Sequence, residues 1–307
     1  MRRALLAGSS SRWLRERASR YPFVRRSVSR FMPGEELDDA LSAARGLSAA
    51  GVPTILTRLG ENLPEAGAAA EVTRYYLDAL DRIAGTGLDA QISVKPTQLG
   101  LDQDREACFR NLIALVARAD ERDSFVWIDM EGSPYVDPTL DLFRRARGVS
   151  GRVGVCLQAY LRRTPRDLDA LLPLAPAIRL VKGAYMEPPE VAFQRKAEVD
   201  EAFFDLATRL LAARSDHPGG FLGIATHDAR LIARLESFVA ANAVPRESHE
   251  LEMLYGIQRG LQSRLVGEGL RLRVLISYGE YWFPWYMRRL AERPANVLFV
   301  VKSLLAG

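Results

Sequence analysis

Five short apolar runs in this chain each end on a polar or charged group. Lys95 follows Ile92 to Val94, and Asp129 follows Phe125 to Ile128. Gln158 closes Val153 to Leu157, Arg179 and Lys182 close Ala177 to Val181, and Thr226-His227-Asp228 follow Phe221 to Ala225. Such groups are costly to bury unless paired, and five runs sharing the pattern point to one common polar site. Lys95, Arg179 and Lys182 supply cations, and Asp129 is the carboxylate placed to pair with one of them. That combination suits an anionic small molecule or cofactor. His227 stands beside a helix start, where a ring more often donates a hydrogen bond to a neighbour or cofactor than acts as a base. The three histidines form no HxH or HExxH pattern, so a metal site is not expected. No GxSxG string and no cysteine–histidine pairing supports a covalent nucleophile.

A second cluster lies near the end of the chain, in Tyr278-Gly-Glu-Tyr-Trp-Phe-Pro-Trp285-Tyr-Met-Arg288-Arg289-Leu-Ala-Glu292. The spacing predicts a helix stopped by Pro294. Arg288 and Glu292 are then i,i+4 neighbours, and Arg289 is left to face outward or into the site. Two arginines beside aromatic rings suit a planar carboxylate gripped by forked donors. An ordinary surface helix with an aromatic core face fits the same string equally well.

The elements that must carry these groups alternate. Eight runs are strand-length and rich in branched apolar residues: 52–59, 90–96, 125–130, 152–159, 177–184, 220–226, 249–254 and 271–277. Their near-continuous apolarity suits strands buried on both faces. Amphipathic stretches at 68–83, 105–120, 191–211 and 229–240 read as helices between them. Thr164-Pro165 with Asp167 reads as a helix start. Eight strand–helix units imply a closed (βα)8 barrel with its chemistry at the strand C-termini. An open doubly wound sheet would want a phosphate-binding glycine loop after an early strand. Gly85 to Ala90 instead follows a helix and precedes a strand, so it reads as a helix stop and a turn.

The 307 residues are 48% hydrophobic and 26% charged, as in an ordinary globular protein. Two cysteines, Cys108 and Cys156, are too few and too far apart for a disulfide scaffold or a zinc ribbon. Apolar runs of about five residues are far short of a membrane helix. Of 42 basic residues only four are lysine. Residues 1–30 hold nine arginines against one acid, Glu16, whereas the whole chain is only +4. The basic pI of 9.2 therefore belongs to this opening segment. Its composition is like that of an organellar transit peptide. It also carries Trp13, Leu14, Tyr21, Phe23, Val24 and Val28, too many large apolar groups for a solvated tail. The favoured reading is a basic helical segment, residues 1–34, packed on a barrel of residues 35–307. A peripheral membrane contact comes second and nucleic acid a poor third.

Taken in order, these strings resemble the proline dehydrogenase family, whose members are FAD enzymes of distorted (βα)8 TIM-barrel fold with N-terminal helices. The matching strings are Ser93-Val-Lys-Pro, Ile128-Asp-Met-Glu131, Leu157-Gln-Ala-Tyr-Leu-Arg-Arg-Thr164, Arg179-Leu-Val-Lys-Gly-Ala-Tyr185, Ala225-Thr-His-Asp228, Glu252-Met-Leu-Tyr-Gly-Ile257 and Arg288 to Asn296. Phe31 to Glu35 is similar to the family's opening segment. The resemblance implies that Lys95, Arg288 and Arg289 hold a substrate carboxylate, with Glu292 orienting Arg288. It implies that Asp129 positions the basic cluster and that Arg179 lies near the flavin's reactive nitrogen. It places Tyr278, Leu275 and Trp285 along the substrate pocket. Met130, Gln158, Val181, Lys182, Gly183, Thr226, His227 and Glu252 would contact FAD. Leu275, Trp285 and Glu252 depart from the family pattern, which has tyrosine at the first two positions and glutamine at the third. The implied reaction is oxidation of L-proline to 1-pyrroline-5-carboxylate, with electrons passed to a quinone. The implied location is the cytoplasm, peripheral to the inner face of the membrane. A flavoenzyme for a related cyclic amino or imino acid is the first alternative, and a non-catalytic binding protein on the same barrel the second.

Overall fold

The computed structural model describes residues 28–60, 67–213, 219–283 and 286–287. Eight parallel strands close on themselves in chain order. They are β1 (Thr54–Arg58), β2 (Ala90–Val94), β3 (Val126–Ile128), β4 (Val153–Gln158), β5 (Ala177–Val181), β6 (Phe221–Ala225), β7 (His249–Leu254) and β8 (Leu272–Tyr278). Seven fall within the runs expected from the sequence, and β8 ends one residue beyond its run, at Tyr278. The closing pair sets Ile55 opposite Leu275. Helix α1 (Leu37–Ser48) precedes the barrel. Helices α2 (Ala68–Thr86), α3 (Arg105–Glu121), α4 (Val136–Arg147), α5 (Thr164–Leu171), α6 (Lys196–Ala212), α7 (Ala229–Ala241) and α8 (Arg259–Gly267) follow the first seven strands.

Alternation along each strand divides the barrel into two layers. Outward-facing residues such as Leu56, Ile92, Val155, Leu180 and Ile276 merge with helix residues such as Tyr76, Leu112 and Phe203 into the main core. Inward-facing residues form a separate apolar floor of Ile55, Trp127 and Ala177, packed against Phe125, Phe221 and Leu275. Gly154 of β4 makes room for this floor, because a Cβ there would lie 2.5 Å from the Trp127 ring and 3.0 Å from the Ala177 carbonyl oxygen. Gly154→Ala is therefore expected to cost about 1–3 kcal/mol by overpacking a rigid interior. Chaotrope unfolding measures this, and an unchanged midpoint would show that the indole can shift freely.

Helix boundaries follow local hydrogen bonding. Asp104 caps α3, its carboxylate accepting from the Glu106 and Ala107 N–H groups. Gly87, at φ 68°, ends α2, as the helix-stop reading expected. Two expectations need correction. Thr164 is not a cap but the first residue of α5, and its hydroxyl donates to the Gln158 carbonyl at 2.6 Å. The expected helix over 191–211 starts only at Lys196. Ala192 instead bridges Leu161, and the Phe193 N–H donates to the Tyr160 carbonyl. That pairing holds the chain extended.

Of the basic opening segment, residues 1–27 lie outside the described residues. Val28 and Met32 pack with Leu59, Trp282, Phe283 and Tyr286, and the Trp282 indole donates to Glu35 at 3.1 Å. Gly256, at φ 73°, lies so close to Arg30 that a Cβ would stand 1.6 Å from its carbonyl oxygen.

Candidate active site

Inside the barrel, above the apolar floor, the strands bring four charged side chains into one chain of contacts. Lys95 stands one residue past β2, and its Nζ donates to Asp129 Oδ2 at 2.7 Å. Asp129 stands one residue past β3, and its Oδ1 accepts from Arg179 Nη2 at 2.6 Å and from Ser93 Oγ at 2.8 Å. Arg179 also donates from Nε to Cys156 Sγ at 2.8 Å and lies over the Trp127 ring. Its remaining nitrogen, Nη1, is 3.7 Å from Glu252 of β7. The sequence placed Arg179 at a strand end. It is the third residue of β5, only 2% exposed, and the strand runs on to Val181.

The charge states follow from these contacts. Burial opposes ionisation of Asp129, yet Lys95 and Arg179 hold its carboxyl down to about 2. Burial pushes the Cys156 thiol up to about 12, so it stays protonated and offers a sulfur lone pair to Arg179. Glu252 behaves oppositely to Asp129. Burial raises its carboxyl to about 7, and Arg179 offsets only part of that rise. Lys95, Arg179 and Asp129 by themselves sum to one positive charge, which Glu252 cancels when it is ionised.

The rim carries the other expected residues. Gln158 ends β4, its Nε2 donating to the Met130 carbonyl at 3.2 Å. The backbone of Val181 and Lys182 pairs with Ala159 and Tyr160. The Lys182 ammonium is held by Asp200 at 2.6 Å and Asp228 at 3.1 Å, with Lys196 joining the same carboxylates. Gly183, at φ 112°, lies under the Tyr160 ring, 2.2 Å from where a Cβ would be. Thr226 Oγ1 accepts the Asp228 N–H. His227 Nε2 accepts the Leu254 N–H at 2.9 Å, which puts the proton of a neutral ring on Nδ1, the nitrogen that can donate.

Two pocket residues separate. Leu275 faces the interior with the apolar floor. Tyr278, three positions on, lies on the outer face, its buried ring 6.4 Å from that of Tyr75 on α2. The structure therefore does not bring Tyr278 to the charged cluster. Trp285, Arg288, Arg289 and Glu292 lie outside the described residues. Sequence reasoning missed Ser93 and Cys156, although each stands two positions before a predicted site residue, on the same strand face. It also gave no role to Glu131. This buried carboxylate accepts from the Thr97 N–H at 3.1 Å and the Thr97 hydroxyl at 2.7 Å, tying the turn after Lys95 to the turn after Asp129. Among the described residues no group of histidine, cysteine and carboxylate side chains could hold a metal ion. None of the described helices is long and apolar enough to cross a membrane.

The sequence profile of the proline dehydrogenase family matches residues 40–302. The chain belongs to the proline dehydrogenase family. It is 36% identical to a proline dehydrogenase of Deinococcus radiodurans, over 91% of this chain and 90% of that protein. It is 35% identical to proline dehydrogenase 1 of Bacillus subtilis strain 168, over 99% of each. Among solved structures, proline utilization A of Bdellovibrio bacteriovorus, inactivated by N-propargylglycine, superposes with a TM-score of 0.81 at 24% identity. That match covers 87% of this chain but spans only 32% of the solved one, and it speaks to the shared barrel alone. Within the proline dehydrogenase family frame, Lys95, Asp129 and Arg179 are the resemblance-bearing residues that the barrel gathers at one point.

Proposed function

We infer that this barrel oxidises L-proline to 1-pyrroline-5-carboxylate with FAD as hydride acceptor. The observation that carries the reading is the Lys95–Asp129–Arg179 cluster inside the barrel mouth of a chain in this family, with Arg179 buried and Lys95 and Asp129 partly so. Support for a flavin comes from two buried polar atoms without hydrogen-bond partners among the described residues, Gln158 Oε1 and Arg179 Nη1. One is an acceptor and the other a donor, and a flavin ring edge presents both N–H and C=O groups. FAD, when bound, takes the hydride from the substrate carbon beside the nitrogen.

The chain's own residues bind and orient. Lys95, Arg288 and Arg289 hold the substrate carboxylate, with Glu292 fixing Arg288. Asp129 fixes Lys95 and Arg179 relative to each other. The cations Lys95, Arg179, Arg288 and Arg289 disfavour the substrate ammonium, so the amine loses its proton before the hydride leaves. Met130, Gln158, Val181, Lys182, Gly183, Thr226, His227 and Glu252 surround the flavin. The electrons then pass to a quinone, and the basic opening segment would meet the membrane that holds it. The purified protein is expected to bind FAD one-to-one. Failure to take up any flavin on reconstitution would leave only the reading of a binding protein.

Leu275 on the apolar floor favours a pocket with more room for an apolar ring than a tyrosine would leave. Leu275→Tyr combined with Trp285→Tyr is expected to raise kcat/KM for L-proline several-fold relative to bulkier cyclic amino acids. That is a shift of about 1 kcal/mol, the size of one restored hydrogen bond. An unchanged ratio would show that these positions do not set specificity.

A further inference from the structure

Glu252, placed beside the flavin in the proposed reaction, is the one member of the interior charge chain given no charge or proton role there. Its side chain is 2% exposed, and neither carboxylate oxygen has a hydrogen-bond partner among the described residues. The barrel makes space for it. Gly223 faces it from β6, where a Cβ would stand 2.1 Å from Glu252 Oε1. It faces Arg179, whose Nη1 is the guanidinium nitrogen left without a hydrogen bond. The other charged or titratable groups around it are Asp129 beyond β3, Cys156 on β4, Glu250 on β7 and Arg273 on β8. Arg273 is engaged elsewhere, donating to Glu250 at 2.6 Å and to Asp89 at 2.8 Å. Lys95 is engaged by Asp129. Arg179 is thus the cation positioned to respond to Glu252, and a bare buried carboxylate is held ionised by little else.

We propose that Glu252 is a redox-linked proton holder: it takes up one proton from solvent when flavin bound against Arg179 is reduced, and releases it on reoxidation. The inference rests on the flavin reading above. Substrate supplies the hydride, which forms the new bond on the flavin and leaves the ring with one added negative charge. Arg179 then serves that charge instead of Glu252. The Glu252 carboxylate, deprived of its counter-ion, forms an O–H bond with a solvent proton. Charge in the buried site changes by less than it would without the uptake. Because burial places the Glu252 carboxyl near neutrality, the exchange falls within the working pH range. Glu252 acts through Arg179, as a positioning residue.

The test is anaerobic potentiometry of the flavin-loaded enzyme and of Glu252→Gln across pH 5.5 to 9, a range of about two units either side of neutrality. The wild type is expected to show a window above about pH 7 where the reduction equilibrium constant changes by one further factor of ten per pH unit compared with Glu252→Gln. For a two-electron couple that is about 30 mV per unit. A merely structural glutamate would move the potential without changing the slope. Coincident slopes would overturn the role of Glu252 while leaving the flavin reading intact. If no flavin binds, both fall. Where Glu252→Gln does not fold, difference infrared spectra of the wild type decide. Reduction is expected to produce a protonated-carboxyl band, and no carboxyl change would overturn the proposal.

Discussion

Asp129→Ala is expected to destabilise the protein by about 3–5 kcal/mol, the usual cost of removing one partner from a buried ion pair. The variant leaves Lys95 and Arg179 facing each other without the carboxylate that bridges them at 2.7 and 2.6 Å. Chaotrope unfolding at neutral pH measures the loss. A cost under 1 kcal/mol would mean that solvent already screens the cluster as it does a surface pair. The acid limb supplies an independent check. The carboxyl is held below its unfolded value, so its contribution is full above the usual carboxylate range and is lost as pH falls through about 2. Asp129→Asn is expected to flatten that part of the acid unfolding curve. Glu252 has the opposite sign. Its carboxyl is raised, so its ionisation costs stability as pH rises toward about 7, and Glu252→Gln is expected to flatten the curve there.

Arg289→Met is expected to weaken substrate binding by roughly 10- to 150-fold, the equivalent of about 1.5–3 kcal/mol for one charge-assisted contact. Flavin binding is expected to change far less. The forked guanidinium matches a carboxylate in a way that a methionine of similar length cannot. Titration with a carboxylate-bearing substrate analogue, followed through the flavin spectrum, separates the two affinities. Equal losses in substrate and flavin affinity would make Arg289 a structural residue and leave the carboxylate to Lys95 and its neighbours.

The barrel was legible because its strands are buried on both faces, and that condition writes itself as unbroken apolar runs. Asp129 and Lys95 were legible for the same reason, since each breaks an apolar run where the strand ends. Arg179 was misplaced at the rim. A lone arginine within a five-residue strand looks terminal until Ala177 and Val181 are seen to share its inward face. Tyr278 was drawn into the pocket although its spacing from Leu275 sets it on the opposite face of β8. The contact between Arg179 and Glu252 spans β5 and β7. It depends on how the strands close, which local periodicity does not encode. The start of α6 was misread because the pairing of Ala192 with Leu161 overrides a helical pattern.

The most direct test of the account is an anaerobic half-reaction. The flavin-loaded protein is mixed with L-proline without an electron acceptor, the flavin absorbance is followed, and the cyclic imine is trapped and identified. The account predicts stoichiometric bleaching with one imine formed per flavin, and far slower bleaching in Arg289→Met at the same L-proline concentration. A flavin that stays oxidised with L-proline, yet bleaches with a chemical reductant, would contradict it.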